Sequence, residues 1–318
     1  MFRLGYNTNG LAHHRPADAL RLVAELGYEA LAITPDPGCL DPFDLRPAEL
    51  NDVRRWAEDL GLALVIETGS RFLLDAERKH FPTLLESSAA DRKRRIDFLK
   101  RCLDMAAVLD AEVLSIWSGA APSGAVADWP PCEVSDQGAE APQNPPEPVA
   151  PVVPGADPSA LTSAPPADPE APWDHLVRGI TELTTFAAGT GVQLAFEPEP
   201  GMFIATPDGY GQLVERMGTA GDGLGLTLDV GHCLVTGQDV VDTIQKWAPR
   251  LVNVHLDDIK DRLHDHRMFG EGELDLSSTL RALIDTNFDG IAAVELSRDS
   301  HRGPTAAREA MAHLRAAL

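Results

Sequence analysis

Eight short apolar runs bounded by turn residues recur along the chain, at residues 4–7, 30–34, 63–67, 113–117, 192–196, 225–228, 251–254 and 291–294. Runs this short, without apolar/polar alternation, are the pattern of strands buried on both faces, as in parallel sheets. Stretches with helical periodicity separate them, at residues 17–26, 47–60, 91–109, 173–188, 206–217, 240–247 and 276–284, and a last one at 305–318 follows the eighth run. Gly27, Gly61, Gly191, Gly223 and Gly290 stand just ahead of strands, where helices stop or αβ turns tighten. Eight similar strand-helix units predict an α/β fold of the (β/α)8 or TIM-barrel kind, because an open doubly wound sheet rarely needs so many.

One segment breaks the rhythm. Between Gly119 and Pro172 lie 14 of the 25 prolines and eight acidic residues, with no Lys or Arg and few large apolar side chains. Such a composition buries too little surface to offset chain entropy. The expected organisation is therefore a single barrel domain over residues 1–318, carrying a disordered or loosely ordered insertion at 120–172 after the fourth strand.

The charge excludes some partners. With 27 Lys and Arg against 49 Asp and Glu, the formal net charge is -22, which repels nucleic acid and anionic membranes unless cations cluster. The nearest cluster, Arg92-Lys93-Arg94-Arg95, lies in a helical stretch and is expected on its solvated face. Four cysteines without a CxxC pair suggest a reducing compartment, and residues 1–15 lack the pattern of a signal peptide, so a cytoplasmic protein is expected. The glycines of "GTAGDGLG" precede a strand instead of following one, so no nucleotide cofactor is indicated.

Functional groups of a (β/α)8 barrel sit at the C-terminal ends of its strands. The last four runs end in Glu197 ("LAFEPEP"), Asp229 ("LTLDVGH"), His255 ("VNVHLDD") and Glu295 ("AAVELS"). Three carboxylates and an imidazole converging on one mouth would repel or take up protons unless a cation joins them. An O,O,O,N donor set suits Mn²⁺ first, with Mg²⁺, Co²⁺ or Zn²⁺ as alternatives. Pro198 and Pro200 keep the chain after Glu197 extended, and Glu199 is expected to face solvent or the loop.

The motifs "FEPEP", "LDVGH", "VHLDD" followed by "FGEGELD", and "VELS" resemble those of the xylose isomerase-like TIM-barrel superfamily, over nearly the whole chain apart from the Pro-rich segment. The resemblance implies one divalent ion held by Glu197, Asp229, His255 and Glu295. It also implies that Glu197 and Glu295 exchange a proton at a carbon between them. His232 matches the D-x-x-H of the family, which implies contact with a substrate oxygen or a second metal. Arg262 and Arg267 lie near a substrate-binding Arg of the sugar epimerases, at a different spacing.

"HDHRMFGEGELD" resembles the segment where endonuclease IV carries Asp-x-His, a zinc-ligating pair, ahead of Gly-Glu-Gly. The further histidines that a DNA-cleaving site needs are replaced by Glu67 and Trp117, so His264 and His266 are expected to contact substrate or shape the loop. The loop after the third strand offers Glu67 and His80 to the mouth, and the first strand and its exit offer Asn7, Asn9, His13 and His14, polar groups suited to hydroxyl recognition. The function expected is a metal-dependent sugar or polyol isomerase or epimerase acting through an ene-diolate. The first alternative is a dehydratase or lyase on an inosose, keto-sugar or keto-glycoside, and behind it stand an endonuclease IV-like phosphodiesterase and a non-catalytic barrel. The partner expected is a small-molecule sugar or polyol, with a homodimer left open.

Overall fold

The computed structural model describes residues 2–120, 168 and 170–318. The strands among them are β1 (Arg3–Asn7), β2 (Ala30–Ile33), β3 (Ala63–Glu67), β4 (Val113–Ile116), β5 (Gln193–Phe196), β6 (Gly225–Asp229), β7 (Leu251–Leu256), β8 (Asp258–Lys260), β9 (Leu263–Arg267) and β10 (Ile291–Val294). The first seven and β10 pair in parallel and close into a barrel, with β10 between β7 and β1. The strands β8 and β9 form a separate antiparallel hairpin beyond the end of β7. All eight expected strands are present. The expected insertion at 120–172 lies almost wholly outside the described residues.

The helices are α1 (Pro16–Leu26), α2 (Pro47–Leu60), α3 (Ala89–Leu109), α4 (Ala171–Ala187), α5 (Pro207–Met217), α6 (Val230–Thr236), α7 (Val240–Trp247), α8 (Leu276–Asp285) and α9 (Gly303–Ala317). Proline in the first turn starts α1, α2, α4, α5 and α9, where its missing N–H costs nothing. Gly27 and Gly61 stop α1 and α2 in the left-handed conformation, at φ 90° and 69°.

Two apolar layers hold the barrel. The larger lies between strands and helices and includes Leu31, Ile66, Leu114, Phe196, Leu228, Val254 and Val294. The smaller fills the bore with Ala30, Ala32, Val65, Val113, Ala195, Ile291 and Ala293. Small side chains are needed there; a β-carbon on Gly5 would already sit 3.1 Å from Ile291. Since strand side chains alternate faces, the residue two beyond each bore residue also points inward, one layer higher. Val65 is thus followed by Glu67, Ala195 by Glu197 and Ala293 by Glu295.

Three features depart from the sequence expectation. Arg95 is not on the solvated face of α3: it is 2% exposed, its guanidinium stacked 4.4 Å over the Trp117 ring, and burial lowers its pKa to about 10. A buried cation stacked on indole keeps some of the stabilisation it loses with water. The short helix α6 and the β8–β9 hairpin were not foreseen, because seven, three and five residues are too few to set a periodic pattern apart from loop sequence. Glu199 is partly buried and lines the cavity described below, since its backbone N–H bonds back to Ile204 O and folds the strap 199–204 over the mouth.

Candidate metal centre

Register brings the four strand-end residues together. Asp229 on β6 pairs with His255 on β7, which pairs with Ala293 on β10, two residues short of Glu295. Beyond β5, Glu197 is anchored by its N–H to Ile116 O. His255 Nδ1 lies 3.0 Å from Glu197 Oε1, 2.9 Å from Glu295 Oε2 and 3.8 Å from Asp229 Oδ2. One donor atom from each of the four lies within 4.8 Å of the others. Asp229 is also the first-turn cap of α6, its Oδ1 accepting from His232 N at 2.8 Å. That leaves Asp229 Oδ2 buried with no hydrogen-bond partner.

The electrostatics follow from crowding. Burial raises the Glu197 carboxyl, with His255 opposing, and burial plus Asp257 holds Asp229 well above the usual carboxylate range. Burial resists ionisation of Glu295 too, but His255 beside it outweighs that and lowers its pKa. Burial disfavours charge on His255, yet Glu67, Glu197 and Glu295 raise it well above the ordinary imidazole. A divalent cation in the midst of these groups would take over what the His255 proton does here, and the orphaned Asp229 Oδ2 is the atom such an ion would satisfy.

The other sequence candidates divide. Glu67 is buried and its Oε1 lies 2.9 Å from both His255 Nε2 and Asn253 Nδ2, so it orients the imidazole from across the barrel. Asn7 is buried too, its Oδ1 accepting from Asn9 N and Thr34 Oγ1, which caps the short 3-10 turn Thr8–Leu11. His80 lines the cavity edge-on to Trp117, and burial lowers its pKa to about 4. His232 bonds through Nδ1 to Pro198 O at 3.0 Å and through Nε2 to His264 Nε2 at 2.9 Å. His266 Nδ1 lies 2.8 Å from Asp257 Oδ2 and is raised to about 10 by that carboxylate against the effect of burial.

The two arginines stand elsewhere. Arg262 is in the exposed turn of the hairpin, its guanidinium against Gly237, and Arg267 is ion-paired with Asp265 at 2.6 Å. Neither lines the cavity.

Two residues near the mouth, Asp257 and Glu199, were absent from the candidate set, and Asn9, which was in it, has a role the sequence did not show. Asn9 donates through Nδ2 to Glu295 Oε1 at 2.6 Å. Asp257 is wholly buried behind Asp229. Glu199 has its pKa raised to about 8 by burial and by Glu197 and Glu295. The doubled acids of "VHLDD" were a visible signal for Asp257, whereas the reach of Asn9 depends on a turn that periodicity does not disclose.

Asn9, Glu67, Glu197, Glu199, His255 and Glu295 line a cavity of about 740 Å³ at the C-terminal ends of the strands, walled by Trp117, Phe81, Met202 and His14, with Arg71, Lys79 and Arg298 also in its lining. A volume of this size suits a small molecule. A larger groove of about 890 Å³, lined by Lys100, Thr181 and Phe186, lies outside the barrel along α3 and α4 and holds none of these groups.

A barrel with an acidic, histidine-bearing mouth is a recurrent enzyme architecture, and its family is shown by comparison: the chain belongs to the xylose isomerase-like TIM barrel family, whose model matches residues 20–317. An inosose dehydratase of Clostridium perfringens is 25% identical over 147 residues, 41% of this chain and 49% of that protein. The chain thus spans about half the length of the curated relatives it matches. Among solved structures, a D-allulose 3-epimerase of Methylomonas sp. superposes with a TM-score of 0.70 at 14% identity, covering 100% of this chain and 98% of that one. The IOLI protein with a binding zinc atom superposes at 0.67 and 16% identity, covering 99% and 98%. These likenesses establish the fold. No helix among the described residues is long and apolar enough to cross a membrane.

Proposed function

We propose that this protein is a divalent-metal-dependent sugar or polyol isomerase or epimerase, working by proton abstraction next to a carbonyl. The observation that carries the reading is His255 Nδ1 set between Glu197 and Glu295 in the lining of the cavity, with the unpartnered Asp229 Oδ2 buried 3.8 Å from that nitrogen. The names of the inosose dehydratase relative and of the D-allulose 3-epimerase fold neighbour agree with chemistry on a polyhydroxy ketone.

Glu197, Asp229, His255 and Glu295 would hold the ion, with Mn²⁺ the first choice and Mg²⁺, Co²⁺ or Zn²⁺ alternatives. Bound there, a divalent cation would acidify the C–H beside a carbonyl and stabilise the resulting ene-diolate. Glu197 and Glu295 approach from different strands, so one can remove the proton and the other return it. Asn9 holds Glu295, and Glu67 holds the His255 ring so that Nδ1 faces the cavity. His264 and His80 offer neutral imidazoles to substrate hydroxyls, since burial lowers both, and His232, also held neutral by burial, positions His264 through the bond between their Nε2 atoms. The reading includes a single barrel domain, interrupted by an insertion at 120–172, in the cytoplasm; the unpaired Cys39, Cys102 and Cys233 accord with a reducing compartment.

The same proton removal followed by loss of hydroxide would make a dehydratase, a second reading favoured by the names of the sequence relatives. One experiment addresses both. The manganese-loaded protein is incubated in deuterated water with a panel of ketoses, inososes and keto-glycosides. Metal-dependent entry of deuterium next to a carbonyl is expected. An epimer as product identifies the first reading, and a product lighter by water the second. No exchange with any member of the panel would count against enolate chemistry altogether.

A further inference from the structure

We propose that the substrate carries an anionic group, a carboxylate or a phosphate, at the end remote from the metal, and that Arg71 and Lys79 receive it. This rests on the enolate reading of the site and narrows its substrate class. The cavity has two unlike sides. Glu197, Asp229, His255 and Glu295 stand at the ends of β5, β6, β7 and β10, which are consecutive around the ring. Directly across the ring from β7 is β3, and the loop after it puts Arg71, Lys79 and His80 into the lining. That loop closes on itself: the His80 N–H donates to Arg71 O at 2.6 Å, and His80 Nδ1 lies 3.4 Å from Ser70 O. Arg71 and Lys79, apart in sequence, are thereby held at one place on the rim.

The protein itself supplies these charges with no counter-charge. Carboxylates outnumber cations 49 to 27, and Arg78 of the same loop has taken one, Asp75 at 2.8 Å. Among the described residues, Arg71 and Lys79 take none. Asp36, on the neighbouring loop, also lines the cavity, but its Oδ1 accepts from the Gly38 N–H, and Glu199 lies toward Glu197 and Glu295. A third cation strengthens the same side. Arg95 is buried, its Nη2 has no hydrogen-bond partner, and its guanidinium lies over the ring of Trp117, which walls the cavity. His80 meets that ring edge-on, 5.0 Å between centroids, and Lys79, Arg95 and Arg71 all add to burial in holding His80 neutral. A buried cation without a counter-charge is costly, and an anion seated at the rim would offset it across a wall of low dielectric.

A neutral polyol would give these cations only hydroxyls, and they would lose water without gaining a counter-charge. A sugar whose ketone and adjacent hydroxyl face the metal ligands, and whose far carbon bears a carboxylate or phosphate, satisfies both sides of the cavity at once. Arginine binds either group through a planar fork, and lysine adds a point charge. The net charge of -22 would otherwise repel such a substrate, so a local reversal of sign at the rim is what its entry requires. Arg298 lines the cavity too, but it follows β10 and its Nη2 lies 3.4 Å from His264 O, so it belongs to the side of the metal ligands.

The test uses matched sugars that differ only at C6: D-fructose, D-fructuronate and D-fructose 6-phosphate, and the same set built on D-tagatose. Each is titrated calorimetrically into the manganese-loaded full chain and, separately, followed for deuterium exchange. At least one anionic form is expected to bind about 10–100-fold tighter than its neutral parent, the yield of one charge-assisted contact. That margin should narrow as salt rises, and the tighter of carboxylate and phosphate identifies the group. Arg71→Met combined with Lys79→Met should cut the margin about tenfold or more, whereas Arg281→Met, an exposed cation on α8 outside the cavity, should leave it intact. Both rim residues are exposed, so the double variant is expected to melt as wild type does. Neutral forms that bind as tightly as anionic ones, a margin that survives in the double variant, or no binding by any anionic form would each overturn the proposal. Deuterium entering the neutral ketoses would in those cases leave the enolate reading standing. Tight binding of an anionic sugar that depends on Arg71 and Lys79, without metal-dependent exchange, would uphold the anionic subsite and count against the enolate reading.

Discussion

The two halves of the barrel contribute differently to its mouth. The strands β5, β6, β7 and β10 end in the four candidate ligands, whereas β1, β3 and β4 lead into groups that orient or wall them: Asn9, Glu67 and Trp117. Glu67 reaches across the bore to His255, and Asn9 reaches Glu295 through the neighbouring pair β1 and β10. A barrel permits this because all strand ends face one small space, so a residue remote in sequence can fix the tautomer or rotamer of a reacting group.

That division can be broken by substitution. Glu197→Gln and Glu295→Gln are each expected to lower kcat by about 10²–10⁴-fold, the usual contribution of a positioned acid or base, measured on a substrate identified by deuterium exchange. Glu67→Gln should weaken metal binding by about 10–100-fold while leaving its stoichiometry intact, as read by competition with a chelating dye. An effect as large as that of Glu295→Gln would place Glu67 among the reacting groups. Asn9→Ala should lower kcat by about tenfold or less with metal affinity little changed, because Glu295 keeps its place beside His255.

The pH dependence of the metal-free protein sharpens the same contrast. His266 is raised from its ordinary 6.5 to about 10, so its stabilising charge is complete below pH 6.5 and is lost as pH climbs through 10. Glu199 is an acid raised from 4.5 to about 8, so burying it costs more as pH passes from 4.5 to 8. Both contributions fall with rising pH. The Tm of the metal-free protein should therefore decline between about pH 6.5 and 10, and a saturating divalent ion should flatten that decline. The smallest effect is expected from removing residues 121–167, which should leave melting cooperative and shift Tm by a few degrees; loss of cooperativity would show that this segment is part of the core.

Much of this was legible in the chain. The eight strands appear because buried parallel strands are written as continuous apolar runs, and the four ligands because each stands at the first polar position after such a run. What escaped was short or lateral. The seven residues of α6 are too few for a periodic signal, yet they hold Asp229 and Asp257 through the N–H groups of His232 and Gly231. Arg95 reads as one of four consecutive cations, but the helix turns it under α3 onto Trp117. Arg262 stands seven residues beyond His255, and the hairpin carries it away from the mouth to Gly237.

By itself, the sequence determined the barrel and the set of acids and histidines at its carboxyl end, since strand periodicity and burial are local and additive along the chain. Only the tertiary structure decided which of those groups touch. Glu67 became the partner of His255, Glu199 turned into the cavity, and Asp257 joined Asp229 and His266. The reason is physical: closing eight strands into a ring sets distances between residues as far as 286 positions apart, as Asn9 and Glu295 are, and no local pattern encodes them.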